Sequence, residues 1–468
     1  MTIPCRISLL ALSLGLAACS TPPPPAANID APPAWQGPTS AKQALPDNQW
    51  WRAFASLELD QLIERARSNS HDLAAAAARV RKAQAIAVIA GAPLLPEVQL
   101  GLDGSRQRLL RGEGNSQLDA SSSERTSTSF GTRLSASYEI DFWGGLRATR
   151  DSALRSLDAS RFDRQTVELT LVSAVADSYL QGLALNEQLR IARLNLDNAR
   201  DVLGLVEARE RSGSATRLEL AQQRSLVAAQ ERQLPLLEQR RQDNRIVLAT
   251  LLGDPVQALP DNREMISNVQ WPSIGSGVPS ELLGRRPDIA AAEARLAAAS
   301  ANIQVARAAM LPRLILGANL GSGARTLPNV FDSPYYTLTA GLAAPIFNNG
   351  RLSAARDQAS AEQEELLELY RGSILAGFAD VEKALNAIAG VERQRRWQDQ
   401  EVEQARIAFD LAQQRYAAGA ETLLTVLETQ RTLYLAQDQQ AQLRLEQLQG
   451  SVALYKALGG GWQTPVKL

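Results

Sequence analysis

Two periodicities alternate along this chain, and each occurs twice. Over Leu73, Ala76, Val80, Ala83, Ala87 and Ala90 the apolar positions recur at spacings of three and four, a helical seam of small residues along which neighbouring helices can approach closely. A shorter helical stretch, Leu57 to Ala66, precedes it across a break at Asn69-Ser70-His71, where Asp72 is placed to cap the second helix. Pro93 and Pro96 end the helical pattern, because proline supplies no N–H to a helix interior. The period then drops to two. Val98, Leu100 and Leu102 alternate with Gln99, Gly101 and Asp103, and a polar Gly- and Ser-rich stretch follows from about Ser105 to Ser127. Next, Leu134, Ala136, Tyr138, Ile140 and Phe142 face one way, and Arg133, Ser135, Ser137, Glu139 and Asp141 the other, which predicts a strand with one apolar face. From Arg147 to about Arg211 the spacing is helical again, with Leu185, Leu189, Ala192, Leu196, Ala199 and Leu203 in heptad register. Such a helix runs on the order of 90 to 100 Å at 1.5 Å per residue. Gly213 marks a tight turn, and a second helix, with Pro235 as a candidate kink, returns to Leu252-Gly253.

The whole pattern then repeats. Asn69 to Gly101 matches Leu282 to Gly317: Asp72 and Asp288, like Pro96 and Pro312, stand 216 residues apart. Gly213 and Gly419, and Gly253 and Gly459, stand 206 apart, so the second copy is shortened in the loop between its strands. Its strands carry Leu314, Leu316, Ala318 and Leu320, then Tyr336, Leu338, Ala340 and Leu342; its long helix runs from Arg351 to Ala417. A repeat of this length means one large unit used twice. The organisation is residues 1–18 as a leader, 19–49 as a tether, 50–258 as the first repeat, 259–278 as a linker, 279–460 as the second repeat and 461–468 as a tail. The fold class is α+β, dominated by long helices, with four strands in the chain.

Composition narrows the function by exclusion. Lys and Arg number 49 against 50 Asp and Glu in 468 residues, which gives no electrostatic case for nucleic acid. His71 is the sole histidine, and no phosphate loop, metal-ligand cluster or nucleophile motif is found; the expectation is a protein that is not an enzyme and carries no cofactor. The first residues read as a targeting signal: Arg6 is its positive end, Ile7 to Leu16 its apolar core, and Leu16-Ala17-Ala18-Cys19 resembles the lipobox of bacterial lipoproteins. Cleavage would leave Cys19 as a lipidated N-terminus and remove Cys5, so no disulfide is expected; Ser20 at the next position favours the outer membrane. The prolines between Thr21 and Gly37 predict an extended, unpacked tether. Trp50, Trp51 and Phe54, which open the folded part, read as packing residues.

No stretch after the leader is apolar enough for a membrane-spanning helix. The alternating strands suit lipid on one face and water on the other, but four strands cannot close a barrel, which needs about eight. Either they form a small soluble sheet on a lipid-anchored periplasmic coiled-coil scaffold, or several copies pool their strands.

Gly284-Arg285-Arg286-Pro287-Asp288-Ile289-Ala290, Ala309-Met310-Leu311-Pro312, Pro345-Ile346-Phe347-Asn348-Asn349-Gly350-Arg351, Tyr416 to Gln430 and the Trp50-Trp51 opening together resemble the TolC-like outer membrane factors, and with the lipobox their lipoprotein branch serving RND-type efflux pumps. The resemblance spans about residue 45 to 460. It implies a homotrimer in the outer membrane of a Gram-negative bacterium, a shared 12-stranded barrel and a helical tunnel through the periplasm, pinched at its inner end. A periplasmic adaptor and an inner-membrane pump would dock there. The implied activity is passive exit of small molecules, with protein secretion of the type I kind as the alternative. Docking tips would be Ser212-Gly213-Ser214 and Ala418-Gly419-Ala420, where the family usually has Val-Gly. The family's constriction maps onto Tyr416, Glu421 and Glu428, with Arg217 and Glu219 of the first repeat as possible partners. Glu428 stands where aspartate is usual and Glu421 replaces a basic or polar residue, so the family's set of closing ion pairs is not reproduced in full.

Overall fold

The two periodicities fold as two kinds of structure, seen in a computed structural model that describes residues 25–37, 47–108, 110, 126–258 and 264–463. The leader 1–18 and Cys19 lie outside the described residues. Helix α1 (Leu57–Asn69) is followed by α2 (His71–Gly91), strand β1 (Glu97–Arg108), strand β2 (Thr126–Ile140), helix α3 (Gly145–Arg211) and helix α4 (Arg217–Leu252). The second copy supplies α5 (Pro287–Ala308), β3 (Arg313–Ala324), β4 (Pro334–Ala343), α6 (Arg351–Ala417) and α7 (Leu423–Ala457). The bounds of β3 stand 216 residues after those of β1, and the bounds of α6 stand 206 after those of α3.

Several local expectations shift. Ser70, not Asp72, caps α2: its Oγ accepts from the Leu73 N–H, because it stands one residue ahead of the first helical position. Helix α1 runs three residues past Ala66, to Asn69, and Phe142 lies beyond the end of β2. The expected seam of α2 is its buried stripe: Leu73, Ala76 and Ala87 are buried, and Val80, Ala83 and Ala90 half-buried.

The described residues form two compact units, and these are not the two repeats; each unit takes a part of both. One holds residues 79–160 and 292–370 and contains the sheet, whose strands lie in the order β1-β2-β3-β4, all antiparallel. The second strand of the first repeat therefore pairs with the first strand of the second. Trp143, just past β2, donates its indole N–H to the Pro312 carbonyl at 2.7 Å, and Gln304 Nε2 donates to the Trp143 carbonyl at 3.2 Å.

The other unit holds the described residues within 28–78, 161–291 and 371–463. Its core gathers Trp50, Trp51, Phe54, Leu59 and Ile63 with Val175, Tyr179 and Leu183 of α3 and Leu448, Val452 and Tyr455 of α7. Trp50 stacks on Tyr455 with centroids 4.9 Å apart. The Arg-Arg-Pro-Asp motif works as a fastener. Arg286 grips Asp288 with two bonds at 3.0 and 2.7 Å, reaches Asp380 of α6 at 3.0 Å and donates to the Ala457 carbonyl of α7 at 3.3 Å. Burial raises the Asp288 pKa, but the bonds and charge of Arg286 outweigh it and hold the carboxyl below its ordinary range.

The tether is partly packed, contrary to the unpacked segment expected. Trp35 is buried, its indole N–H shared between the carbonyls of Ser276 at 3.2 Å and Gly277 at 3.0 Å, with Phe378 edge-on at 6.2 Å. The backbone N–H groups of Gln36 and Gly37 donate to the two carboxylate oxygens of Glu382 at 2.7 and 3.1 Å. Proline content argued for extension, and extension is compatible with docking along helices.

Candidate functional site

In the sheet unit, strand register converts the period-2 pattern into two unlike faces. Leu100, Leu134, Leu320 and Tyr336 lie in one row across all four strands, and Val98, Ala136, Ala318 and Leu338 in the next. Tyr138, Leu316 and Ala340 form a third, and Ile140, Leu314 and Leu342 a fourth. The opposite face presents rows such as Gln99, Ser135, Asn319 and Thr337. Leu100, Leu338 and Leu342 are each at least 70% exposed, so the described residues leave this apolar face uncovered. An apolar face of this extent marks contact with lipid or protein. The strands have 12, 15, 12 and 10 residues, enough to cross the apolar thickness of a bilayer at about 10 residues per strand. Among the described residues β1 and β4 each have an unpaired edge. Among the described residues no helix is long and apolar enough to cross a membrane.

In the helical unit, the two tight turns are built alike. Gly213 and Gly419 have φ of +75° and +76°. In the first turn Ser214 N donates to Arg209 O at 2.8 Å and Gly213 N to Glu210 O at 2.9 Å; in the second, Ala420 N donates to Arg415 O at 2.8 Å and Gly419 N to Tyr416 O at 3.0 Å. This paired pattern closes a helix C-terminus through one left-handed residue, which glycine adopts without cost. Beside the first turn, Thr216 and Glu219 form a reciprocal capping box at the start of α4. The second copy has Thr425 where the first has Glu219, and Glu421 takes over: its carboxylate accepts from Thr422 N at 3.0 Å and Thr425 Oγ1 at 3.1 Å, and those bonds lower its pKa. Arg415 approaches it at 3.7 Å.

Tyr416 is buried among Val206, Phe409, Leu423 and Val426. Its partner is Arg209, whose Nη1 donates to the Tyr416 carbonyl at 2.5 Å and whose Cζ lies 4.5 Å from the ring centroid. Burial pushes the phenol pKa up, Glu219 adds to that, and Arg209 opposes it. The Tyr416 hydroxyl is buried without a hydrogen-bond partner among the described residues. Glu428 is exposed on α7 and Arg217 exposed on α4, each without an ion-pair partner among the described residues. The structure thus brings Tyr416 and Glu219 near each other, engages Glu421 and Glu219 mainly with their own helix starts, and gives Glu428 and Arg217 no ion pair with them among the described residues. Arg209 was not singled out from sequence. The offset of 206 that relates the turns also relates Arg209 to Arg415, and that signal pointed to both. No cluster of His, Cys, Asp or Glu placed to hold a metal ion occurs among the described residues.

The sequence profile described as "Outer membrane efflux protein" matches residues 62–254 and 278–460. The chain is 75% identical over 464 residues to the "Pyoverdine export outer membrane protein OpmQ" of Pseudomonas putida, covering 99% of each chain. It is 60% identical to the protein of the same name from Pseudomonas aeruginosa, covering 98% of this chain and 97% of that one. Among solved structures, the open state of the Neisseria gonorrhoeae MtrE outer membrane channel superposes with a TM-score of 0.84 at 26% identity, over 96% of this chain and 99% of that one.

Proposed function

We infer the role of this chain from its kinship: it belongs to the outer membrane efflux protein family, and it acts as the outer-membrane exit duct of an export system. The observation that carries the mechanism is the uncovered apolar face of a sheet with two open edges. In lipid, each unpaired backbone group costs several kcal/mol, so a spanning sheet has to close. Four strands fall short of the smallest barrels. Copies of this chain therefore pool their strands, β1 of one against β4 of the next, and three copies give 12 strands with the leucine rows facing lipid. The long helices continue the duct through the periplasm, and their turns at Gly213 and Gly419 meet a periplasmic adaptor of an RND-type pump. A lipid on Cys19 fixes the N-terminus in the outer membrane. The cargo is carried over from the relatives' names: pyoverdine.

Deletion of the gene should deplete pyoverdine in the medium and raise it in the cells, and plasmid-borne wild type should reverse both. Unchanged export in the deletion strain would remove the assigned cargo. Purified protein should run as a heat-sensitive species of three times the monomer mass; a monomer in detergent would contradict the pooled barrel. Cys19→Ala should lose fatty-acid label, and label persisting on that variant would refute the anchor.

A further inference from the structure

Where the linker between the repeats crosses α7, two arginines converge on one neutral atom. Arg395 Nη1 of α6 and Arg444 Nη1 of α7 both donate to Gln447 Oε1, at 2.5 and 2.9 Å, and Arg444 Nη2 donates to the Val269 carbonyl at 2.6 Å. Gln447 is 1% exposed, whereas both arginines are half-buried and reach solvent. Neither has a carboxylate within ion-pair distance among the described residues, although ion pairs are common elsewhere on these helices. A carbonyl and an amide oxygen satisfy N–H groups but do not neutralise charge. Two guanidinium groups held on one acceptor, partly out of water, repel each other. Burial and the neighbouring Arg395 charge both lower the Arg444 pKa, in line with that repulsion.

Charge pairs of like sign in a partly desolvated setting are the usual signature of a site whose counter-ion comes from outside. Guanidinium forks match the geometry of carboxylate and phosphate oxygens, two N–H bonds to one anion. We propose that Arg395 and Arg444, oriented by the buried Gln447 amide, form a binding site for a small oxyanion, a phosphate or a free carboxylate. The anion bridges the two guanidinium groups from the solvent side and ties α6 to α7 beside the point where Val269 is held. Because Arg444 also holds the linker carbonyl, occupancy steadies the junction of the two repeats.

Inorganic phosphate is the probe, with acetate as the carboxylate arm, on full-length protein in detergent at constant ionic strength set with sodium chloride. Equilibrium dialysis should find one phosphate per chain, displaced by acetate. Arg395→Gln, which breaks the Gln447 bond alone, should weaken phosphate binding at least tenfold. So should Arg444→Gln. Gln447→Glu supplies an internal anion; it should abolish phosphate binding and raise the melting temperature in phosphate-free buffer. Phosphate binding unaffected by Arg395→Gln and Gln447→Glu would place the anion elsewhere and overturn the proposal. A wild-type protein that binds neither probe would do the same, including one whose site is filled by a carboxylate of a neighbouring copy.

Discussion

Arg209 lies across the ring of Tyr416, its Cζ 4.5 Å from the centroid, and donates to the Tyr416 carbonyl at 2.5 Å. One residue thereby ties the end of α3, in the first repeat, to the end of α6 in the second. A cation over an aromatic ring contributes about 0.5 to 2 kcal/mol, and a charged hydrogen bond about 1.5 to 3. If the inner end of the duct opens by separation of the two helical hairpins, this contact opposes it. Arg209→Ala should raise the resting conductance of single channels in planar bilayers, and Tyr416→Ala should do so too. Arg209→Ala removes both contacts and Tyr416→Ala only the one to the ring, since alanine keeps the backbone carbonyl, so the double variant loses no Arg209 contact beyond those lost in Arg209→Ala. Conductance at the wild-type level in both single variants would exclude the pair from closure.

Glu428 offers the opposite case, an exposed carboxylate with no ion-pair partner among the described residues. Three copies around an axis would form an acidic ring, and in a narrow pore such charges are poorly screened. Glu428→Gln should lower cation selectivity, read as a shift of the reversal potential toward zero in a salt gradient. An unshifted reversal potential would show that Glu428 does not line the constriction.

Much of this was legible in the sequence because the repeat doubled every signal. The turn at Gly213 was supported by Gly419, and the strand containing Val98 by that containing Leu314. The apolar alternation likewise gave the face that the register later assembled into rows. Pairings across distant segments were less accessible. Arg209 meets Tyr416 over 207 positions, and Trp35 meets Ser276 over 241. Periodicity describes one element at a time and carries no information on which arginine reaches which ring. Pro-rich composition likewise argued for an unpacked tether and carried no sign that one tryptophan within it docks. Glu421 is engaged as a residue at a helix start would be, by Thr422 N and Thr425 Oγ1, whatever it adds to a gate.

Gly459 and Gly213 share a left-handed backbone, with φ of +84° and +75°, but not a setting. A Cβ on Gly459 would lie 1.8 Å from the Arg285 carbonyl oxygen, whereas one on Gly213 would meet nothing within 4 Å. Alanine at 213 should cost the left-handed penalty, about 1 to 2 kcal/mol. Gly459→Ala adds a backbone clash with the segment that carries the Arg286 fastener. The expected result is near-normal assembly for Gly213→Ala and sharply reduced folded protein in the outer membrane for Gly459→Ala. Equal yields would mean that the Arg285 segment moves aside freely.

Trp35 holds the N-terminal segment to the helical unit through burial and two shared carbonyls. Removing a buried tryptophan costs about 3 to 5 kcal/mol. The folded body does not depend on it, since the core around Trp50 and Tyr455 is separate. Trp35→Ala should leave the melting temperature of the body little changed, while thermolysin cleavage within residues 25–37 should become many times faster. Cleavage at the wild-type rate would show that Glu382 and its two backbone bonds suffice.

Asp177 gives a pH dependence with an unusual sign. Burial pushes its pKa from the ordinary 3.8 up to about 6, and Lys456 pulls the other way. Its Oδ1 is buried without a hydrogen-bond partner among the described residues. Most carboxylates in folded proteins are stabilised as anions and contribute above their unfolded pKa. Here the folded state prefers the proton. Between about pH 4 and pH 6 the unfolded chain has released it and the folded chain has not, so stability falls as pH rises through that window. Above the folded pKa the loss is complete, on the order of 3 kcal/mol per chain at 1.36 kcal/mol per pKa unit. Asparagine at this position has no proton to lose and nearly the same shape. Asp177→Asn should therefore match the wild type near pH 4 and exceed it increasingly up to about pH 6, after which the difference levels off. The melting-temperature difference between variant and wild type, followed in detergent from pH 4 to pH 8, measures this. A difference that stays constant across the series, or that grows toward acid, would show that Asp177 is ionised in the folded protein throughout.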